Sequence, residues 1–209
     1  MSFDAIAPWY RTLETIAFGR ALQRARIACL DEIGSRQRGL IVGEGNGRFL
    51  EELMRKQPTI EVDCLDASER MLALARKRIG SESDSVRFLQ HDITSWTPPA
   101  SRYDLIVTHF LLDCFSNDQL HAIVAKLSQA ATADATWLLA DFRLPERNFA
   151  RLRARVWLAA MYRFFRYTAG IEARELVDPS PFLRAEGFAL VTEHQLRGGM
   201  LKSQLWRRL

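Results

Sequence analysis

The sequence predicts an α/β fold built on a doubly wound, mainly parallel sheet. Short runs rich in apolar and β-branched residues alternate with amphipathic segments at helical spacing, as βα units do. The chain then ends in two segments of period-two alternation on either side of Gly198-Gly199, which predict an antiparallel hairpin. We therefore predict a seven-stranded sheet whose last two strands form that C-terminal hairpin.

The elements follow in order along the chain. Apolar residues recur at helical spacing over residues 8–33, which predicts one or two leading helices. Ser68 precedes an amphipathic segment and is the expected N-cap of its helix. The strands are predicted at 39–43, 60–66, 86–90, 103–110, 135–142, 189–197 and 200–209, and the helices at 48–56, 68–79, 117–131 and 179–188.

Composition limits the class of protein. The chain has 209 residues, 48% hydrophobic and 26% charged, which is typical of one globular domain and excludes a wholly disordered or fibrous chain. Cys29, Cys64 and Cys114 lie far apart without a CxxC pair, so neither a disulfide scaffold nor a thiol-rich zinc site is expected. No apolar run reaches ~18 residues and the start lacks a secretory signal, so a cytoplasmic protein is expected.

Positive charge is concentrated in one segment. Residues 143–166 contain seven arginines against one acid, Glu146, whereas the net charge of the whole chain is +4. Aromatic side chains lie between these arginines. We expect a single domain over 1–209, with an N-terminal helical cap at 1–38 and a basic aromatic insertion at 142–178.

A glycine loop is the most informative motif. Gly43-Glu44-Gly45-Asn46-Gly47 directly follows a predicted strand and precedes a predicted helix, the context in which such glycines bind a ligand. The backbone can approach a ligand closely there, and the following helix offers N–H groups to an anionic group. Asp66, at the end of the next strand, can accept hydrogen bonds from both hydroxyls of a ribose. The loop and Asp66 together predict a nucleoside-containing ligand.

Arg48, the residue after the glycine loop, indicates which class of nucleoside-containing ligand the loop binds. A dinucleotide fingerprint requires a small residue at position 48, where this chain has Arg48. No P-loop motif is present either. In the motifs GLIVGEGNGRFL, VDCLDASERMLALAR, LQHDITSW and YDLIVTHFLLD the sequence resembles the class I S-adenosylmethionine (SAM) methyltransferases, with their Rossmann-like fold. The opening FDAIAPWY resembles the ubiquinone/menaquinone-biosynthesis type. One departure is Ile41, where that family often has an acid; Glu44 is then the acid of the loop.

The resemblance implies a set of cofactor-binding residues, in addition to Glu44 and Asn46 of the loop. Gly43, Gly45 and Gly47 would pass beneath the methionine and ribose parts of SAM, and Asp66 would hold the ribose hydroxyls. Ala67, Met71 and Ile93 would pack around adenine, Asp92 would meet its exocyclic amine, and Tyr10 would close over the methionine part. Met71 as ordinary core, Asp92 as a turn residue and Tyr10 as part of a hydrophobic clasp are the alternative interpretations.

His109 is the candidate base. It ends the fourth predicted strand, where ligands collect, and an imidazole can accept a proton at neutral pH. Asp113 lies four residues further on and is expected to orient it. The alternative is that His109 only bonds the backbone beside the cofactor. Asp113 and Asp141 together suggest a metal pair, but residue 142 is Phe where a third ligand would be needed, so no metal is expected.

The expected function is methyl transfer from SAM to an oxygen or carbon of a small, hydrophobic acceptor. The basic insertion is a candidate substrate lid, and peripheral contact between 147–166 and an anionic membrane is a second interpretation. A third is nucleic-acid binding through arginine contacts to phosphates, and a fourth is a solvated basic helix packed on the sheet through its aromatic side chains. A SAM-binding domain without catalysis remains the main alternative. A nicotinamide oxidoreductase and an RNA methyltransferase have less support, because Arg48 is bulky and no [DNS]PP[YFW] motif occurs.

Overall fold

The computed structural model describes residues 19–145 and 176–209. Tyr10, the start of the N-terminal cap and residues 146–175 of the basic insertion lie outside the described residues. The predicted lid and the predicted membrane contact of 147–166 therefore also lie outside them.

Seven strands form one sheet in the order β3-β2-β1-β4-β5-β7-β6. The first five are parallel, and β7 is antiparallel to both β5 and β6. The predicted fold class, including the C-terminal hairpin, is confirmed. The strands are β1 (Arg38–Val42), β2 (Glu61–Asp66), β3 (Val86–Gln90), β4 (Tyr103–His109), β5 (Ala131–Phe142), β6 (Phe188–Leu196) and β7 (Leu201–Arg208).

Helices connect the strands in the described part of the chain. Ser68 caps the helix after β2, because its Oγ accepts a hydrogen bond from the Met71 N–H at 3.2 Å, as the sequence predicted. Ser116 and Gln119 form a capping box at the start of the helix after β4. The helices are α1 (Ala21–Ile27), α2 (Arg48–Lys56), α3 (Glu69–Ile79), α4 (Asn117–Ala130) and α5 (Ser180–Ala185). None of these helices is long and apolar enough to cross a bilayer.

The two faces of the sheet carry separate cores. One core surrounds Leu53 and Ile41, and the other contains Leu120 and Trp137. Strands buried on both faces explain the continuous apolar runs of β1 and β4. Since the chain moves outward in opposite directions from β1 and β4, the carboxyl ends of these two neighbours form the switch point where ligands bind in such sheets.

Candidate functional site

A cleft of about 780 Å³, its open mouth included, lies at this switch point. Elements from both halves of the sheet surround it: the loop after β1, the ends of β2 and β4, and the turn after β3. Its lining includes Gly43, Glu44, Gly45, Asn46, Asp66, Ala67, Met71, Asp92, Ile93 and His109. All ten of these residues are candidate site residues predicted from the sequence. Gly47 and Asp113 are outside this lining.

Asp66 fastens the glycine loop to the sheet. Its Oδ2 accepts the Gly45 N–H at 3.0 Å and its Oδ1 accepts the Ser68 N–H at 2.9 Å. The side chain is 9% exposed at the wall of the cleft. Gly45 has φ +69°, and a Cβ there would meet no protein atom within 4 Å. At Gly45 the backbone is therefore accessible to a ligand, next to the Asp66 carboxylate that these hydrogen bonds hold in place.

Glu44 occupies the N-terminus of α2. One carboxylate oxygen, Oε1, accepts the N–H groups of Phe49 at 2.9 Å and Leu50 at 3.1 Å. From the sequence, this helix end is expected to offer its N–H groups to an anionic group of the ligand, and this prediction is wrong for these two N–H groups. Burial raises the pKa of Glu44 to about 7, despite these bonds and the charge of Arg26. A carboxylate from the protein itself therefore takes the place where a dinucleotide would put its pyrophosphate.

Gly47 has a packing role. It has φ +79°, and a Cβ there would lie 2.7 Å from the Cα of Ala75 in α3. Because glycine has no Cβ, α2 can begin in direct contact with α3, and a larger residue at this position would disturb the packing of the two helices. The resemblance implied that Gly47 lies beneath the ligand, but Gly47 is not among the residues that line the cleft.

An apolar slot forms the side of the cleft next to β2 and β3. Met71 and Ile93 are buried and both line the cleft, with Ala67 beside them. Asp92 is at the rim, where its Oδ1 accepts bonds from the Thr94 N–H and hydroxyl at 2.9 and 2.7 Å. Burial raises the pKa of Asp92, but hydrogen bonds including those from Thr94 outweigh it and bring the pKa below its usual value. The slot thus joins apolar walls to an ionised acceptor.

His109 forms the inner end of the cleft. Its ring packs edge-on against Phe49 with ring centroids 4.6 Å apart, and its Nδ1 is buried without a hydrogen-bond partner among the described residues. Burial, with a smaller effect of the Arg26 charge, lowers the pKa of His109 well below 6.5. The imidazole is therefore neutral at physiological pH. Its Nδ1 is a buried polar atom for which the described residues provide no hydrogen-bond partner.

Asp113 does not orient His109. No hydrogen bond joins these two described side chains; instead Asp113 is hydrogen-bonded to Asp141. Burial and, second, the neighbouring Asp113 raise the pKa of Asp141 well above its usual range. Neither belongs to the lining of the cleft. The pair is a feature of the interior, where β4 and β5 end side by side.

Sequence reasoning missed Arg26. This residue of α1 is 8% exposed, lines the cleft and places its guanidinium 5.2 Å from the centre of the Phe110 ring. Phe110, Leu111, Cys114 and Phe115 complete an apolar wall near His109. Phe110 also has φ +53°, an uncommon conformation that is often found at functional sites. Several arginines share the leading segment, so only the fold shows which one reaches the cleft.

Comparison with known families now identifies the domain. Residues 40–134 match the family model described as "Methyltransferase domain". This range runs from within β1 to the start of β5 and includes the whole glycine loop. Residues 40–134 therefore form a methyltransferase domain.

Curated relatives of this methyltransferase domain are similar over part of their length. The demethylmenaquinone methyltransferase of Deinococcus radiodurans is 31% identical over 110 residues, 52% of this chain and 46% of its own. The malonyl-[acyl-carrier protein] O-methyltransferase of a Paenibacillus species is 36% identical over 73 residues, 34% of this chain and 26% of its own. The chain thus covers less than half the length of either relative.

A solved structure matches the fold almost throughout. The Burkholderia thailandensis 1,6-didemethyltoxoflavin-N1-methyltransferase, with bound 1,6-didemethyltoxoflavin and S-adenosylhomocysteine, has a TM-score of 0.68 at 18% identity. The match covers 97% of this chain and 84% of that protein. The likeness confirms the methyltransferase fold, including the strands outside the range of the family model.

The cleft of this methyltransferase domain fits SAM. An adenine requires apolar walls and a hydrogen-bond acceptor, which Met71, Ile93 and Asp92 offer. A ribose requires acceptors such as Asp66. SAM has no phosphate, so the carboxylate of Glu44 at the helix N-terminus does not conflict with it. SAM is therefore the cofactor that this site suits.

Proposed function

We propose that the protein transfers the methyl group of SAM to a small, mainly apolar acceptor, at oxygen or carbon. The observation that carries the proposal is a single cleft lined both by Asp66 and by His109, whose buried Nδ1 has no hydrogen-bond partner among the described residues. One end suits a nucleoside and the other places a neutral imidazole beside apolar side chains. Methyl transfer requires a cofactor and an acceptor held in line, which the two ends of the cleft are proposed to provide.

On this proposal the cofactor residues divide by chemistry. Asp66 accepts the ribose hydroxyls while keeping its bond to the Gly45 N–H, because each carboxylate oxygen can accept more than one hydrogen bond. Met71 and Ile93 hold the two faces of adenine, and Asp92 accepts from its amine. SAM supplies a methyl group on a positively charged sulfur, so the protein has mainly to position the acceptor and exclude water.

His109 is proposed as the base for a hydroxyl acceptor. A neutral imidazole can take the hydroxyl proton as the oxygen is methylated. The apolar wall of Leu111, Cys114 and Phe115 favours an aromatic or alkyl acceptor over a highly charged one. Two similar proteins are named for demethylmenaquinone and 1,6-didemethyltoxoflavin, both small molecules, which supports this class of acceptor.

The unpartnered Nδ1 also favours catalysis over a SAM-binding domain without activity. A buried polar atom without a hydrogen bond costs free energy, and the hydroxyl of a bound acceptor would offset that cost.

A methyl-acceptor screen tests the proposal. The purified protein is incubated with SAM and a panel of phenols, catechols and quinols, and products are identified by their gain of one methyl group in mass spectrometry. We expect repeated turnover of at least one acceptor. Binding of S-adenosylhomocysteine without turnover of any acceptor would favour the regulatory alternative.

A further inference from the structure

A cluster of three metal-ligating side chains lies outside the cleft. Cys29 follows α1, Glu32 ends the 3₁₀ turn Leu30–Glu32, and His194 is near the end of β6. Because residues three apart align in a 3₁₀ turn, Cys29 and Glu32 face the same way. None of the three lines the SAM cleft. The cluster is thus a separate feature, where the leading segment meets the C-terminal hairpin.

The ligand atoms are close together. The Sγ of Cys29, a carboxylate oxygen of Glu32 and a ring nitrogen of His194 all lie within 4.8 Å of one another. The Nε2 of His194 is 3.0 Å from the Oε1 of Glu32, and the Ser203 hydroxyl donates to the Cys29 Sγ at 3.4 Å. Ser203 is the cross-strand partner of His194, so β7 helps to hold the cluster in place.

We propose that Cys29, Glu32 and His194 bind one zinc-like divalent ion, with water as the fourth ligand. A thiolate, an imidazole and a carboxylate are the three kinds of side chain that zinc accepts in tetrahedral sites. The thiolate selects against Mg²⁺ and Ca²⁺, which prefer oxygen ligands. Three protein ligands leave one position open on the side where Glu32 and His194 are exposed.

The protonation of the cluster is compatible with binding. The Glu32 carboxylate is ionised at neutral pH, because hydrogen bonds from His194 and Thr192 lower its pKa. Burial raises the pKa of the Cys29 thiol, so that thiol holds its proton before the ion arrives. Formation of the sulfur–metal bond then releases this proton to solvent, one for each ion bound.

A His–Glu ion pair alone does not explain the arrangement. It accounts for the contact between His194 and Glu32, but it requires no thiol beside them. Cys29 is 1% exposed and points its sulfur toward the pair and Ser203. The sulfur adds the one ligand that distinguishes a transition-metal site from an ordinary surface ion pair.

The ion would join α1 to β6. Arg26 of the SAM cleft lies only three residues before Cys29, so the ion would also restrain the segment that carries Arg26. A ligand that binds only the folded state raises its stability. We therefore expect zinc to raise the melting temperature of the chelator-treated protein.

Metal titration tests the proposal. The full chain, freed of metal and kept reduced, is titrated with Zn²⁺ against a chromophoric chelator, and with Co²⁺ in the absorption spectrometer. We expect one ion per chain and a thiolate-to-cobalt charge-transfer band. Cys29→Ser should remove the band, and both Cys29→Ser and His194→Gln should weaken zinc binding at least about tenfold. Cys114→Ser and His121→Gln, which change the same residue types elsewhere, should bind zinc as the wild type does.

Three outcomes would overturn the proposal: no uptake by the wild type, equal uptake by wild type and Cys29→Ser, or equal losses in the two controls. Circular dichroism checks that each variant is folded. If Cys29→Ser is unfolded, His194→Gln decides, because its side chain is 45% exposed and contributes little to the core. Metal binding is measured without a methyl acceptor. The zinc proposal can therefore fail while the proposed methyl transfer holds, and methyl transfer can fail while zinc binding holds.

Discussion

Replacing Glu44 by Gln should change how the stability of the protein depends on pH. The Gln side chain keeps an oxygen that can accept the N–H groups of Phe49 and Leu50, which Glu44 Oε1 now accepts. It removes the ionisation of a carboxyl whose pKa is raised from 4.5 to about 7 by burial. The variant thus keeps an acceptor for the hydrogen bonds that cap α2 and removes the ionisable carboxyl.

The sign and the size follow from the two pKa values. Between pH 4.5 and 7 the folded state holds the Glu44 proton while the unfolded state releases it, so the wild type loses stability as the pH rises. At 1.36 kcal/mol per pKa unit, this loss is about 2–3 kcal/mol between pH 5 and pH 8. Glu44→Gln lacks the loss. The free energy of unfolding of Glu44→Gln minus that of the wild type should grow by this amount over the same range.

Urea denaturation of both proteins at a series of pH values measures the difference. Taking the difference cancels the titration of groups common to both chains, such as His109. Glu52→Gln on α2 is the matched control for the same substitution on the exposed side of the helix. A difference for Glu44→Gln that is constant or decreases with pH would refute the buried-carboxylate reasoning.

Four further predictions concern the cleft. Asp66→Ala should weaken S-adenosylhomocysteine binding by about 1–3 kcal/mol in calorimetry, and unchanged affinity would remove Asp66 from the site. Gly47→Ala should lower the unfolding free energy by about 2 kcal/mol or more, because it combines positive φ with a clash, whereas Gly45→Ala should cost about 1–2 kcal/mol from φ alone; equal costs would contradict the packing role of Gly47. His109→Gln should reduce methyl transfer to a hydroxyl acceptor about 10²–10⁴-fold with little effect on S-adenosylhomocysteine affinity, and full activity would exclude it as a base. Arg26→Gln should raise the pKa of His109 in an NMR titration, and a fall would contradict the charge effect.

Local pattern was sufficient for most of the fold. The strands and helices of the described residues were predicted within a few positions, because each buries a continuous or periodic apolar pattern. Ser68 was predicted as a cap because its role depends on residues three positions away. The hairpin differs in detail: the chain turns through the 3₁₀ segment Arg197–Gly199 and not through two glycines alone.

The cleft was predictable where residues act at strand ends. Parallel strands bring Asp66, His109 and the glycine loop to one edge regardless of side-chain detail. The role of Glu44 was missed because Gly47, the N-cap of α2, has no side chain to cap the helix, so the nearest acid of the loop does so. An acid three residues before a glycine N-cap is a signal that can be sought in other sequences.

Contacts between distant segments could not be predicted. Glu32 and His194 are 162 residues apart, and only the antiparallel hairpin brings them together. Asp113 and Asp141 were correctly predicted at the same edge of the sheet. The hydrogen bond between their carboxyls could not be predicted, because it depends on how the chain runs at the ends of β4 and β5. The same applies to Arg26, whose direction is set by the packing of α1.

Calorimetric titration with S-adenosylhomocysteine, with NADH and NADPH run alongside, tests the assignment of the cleft most directly. We predict micromolar binding of S-adenosylhomocysteine alone, since Glu44 occupies the helix N-terminus where a pyrophosphate would bind. Binding of a nicotinamide dinucleotide, or of none of the three, would contradict the methyltransferase assignment.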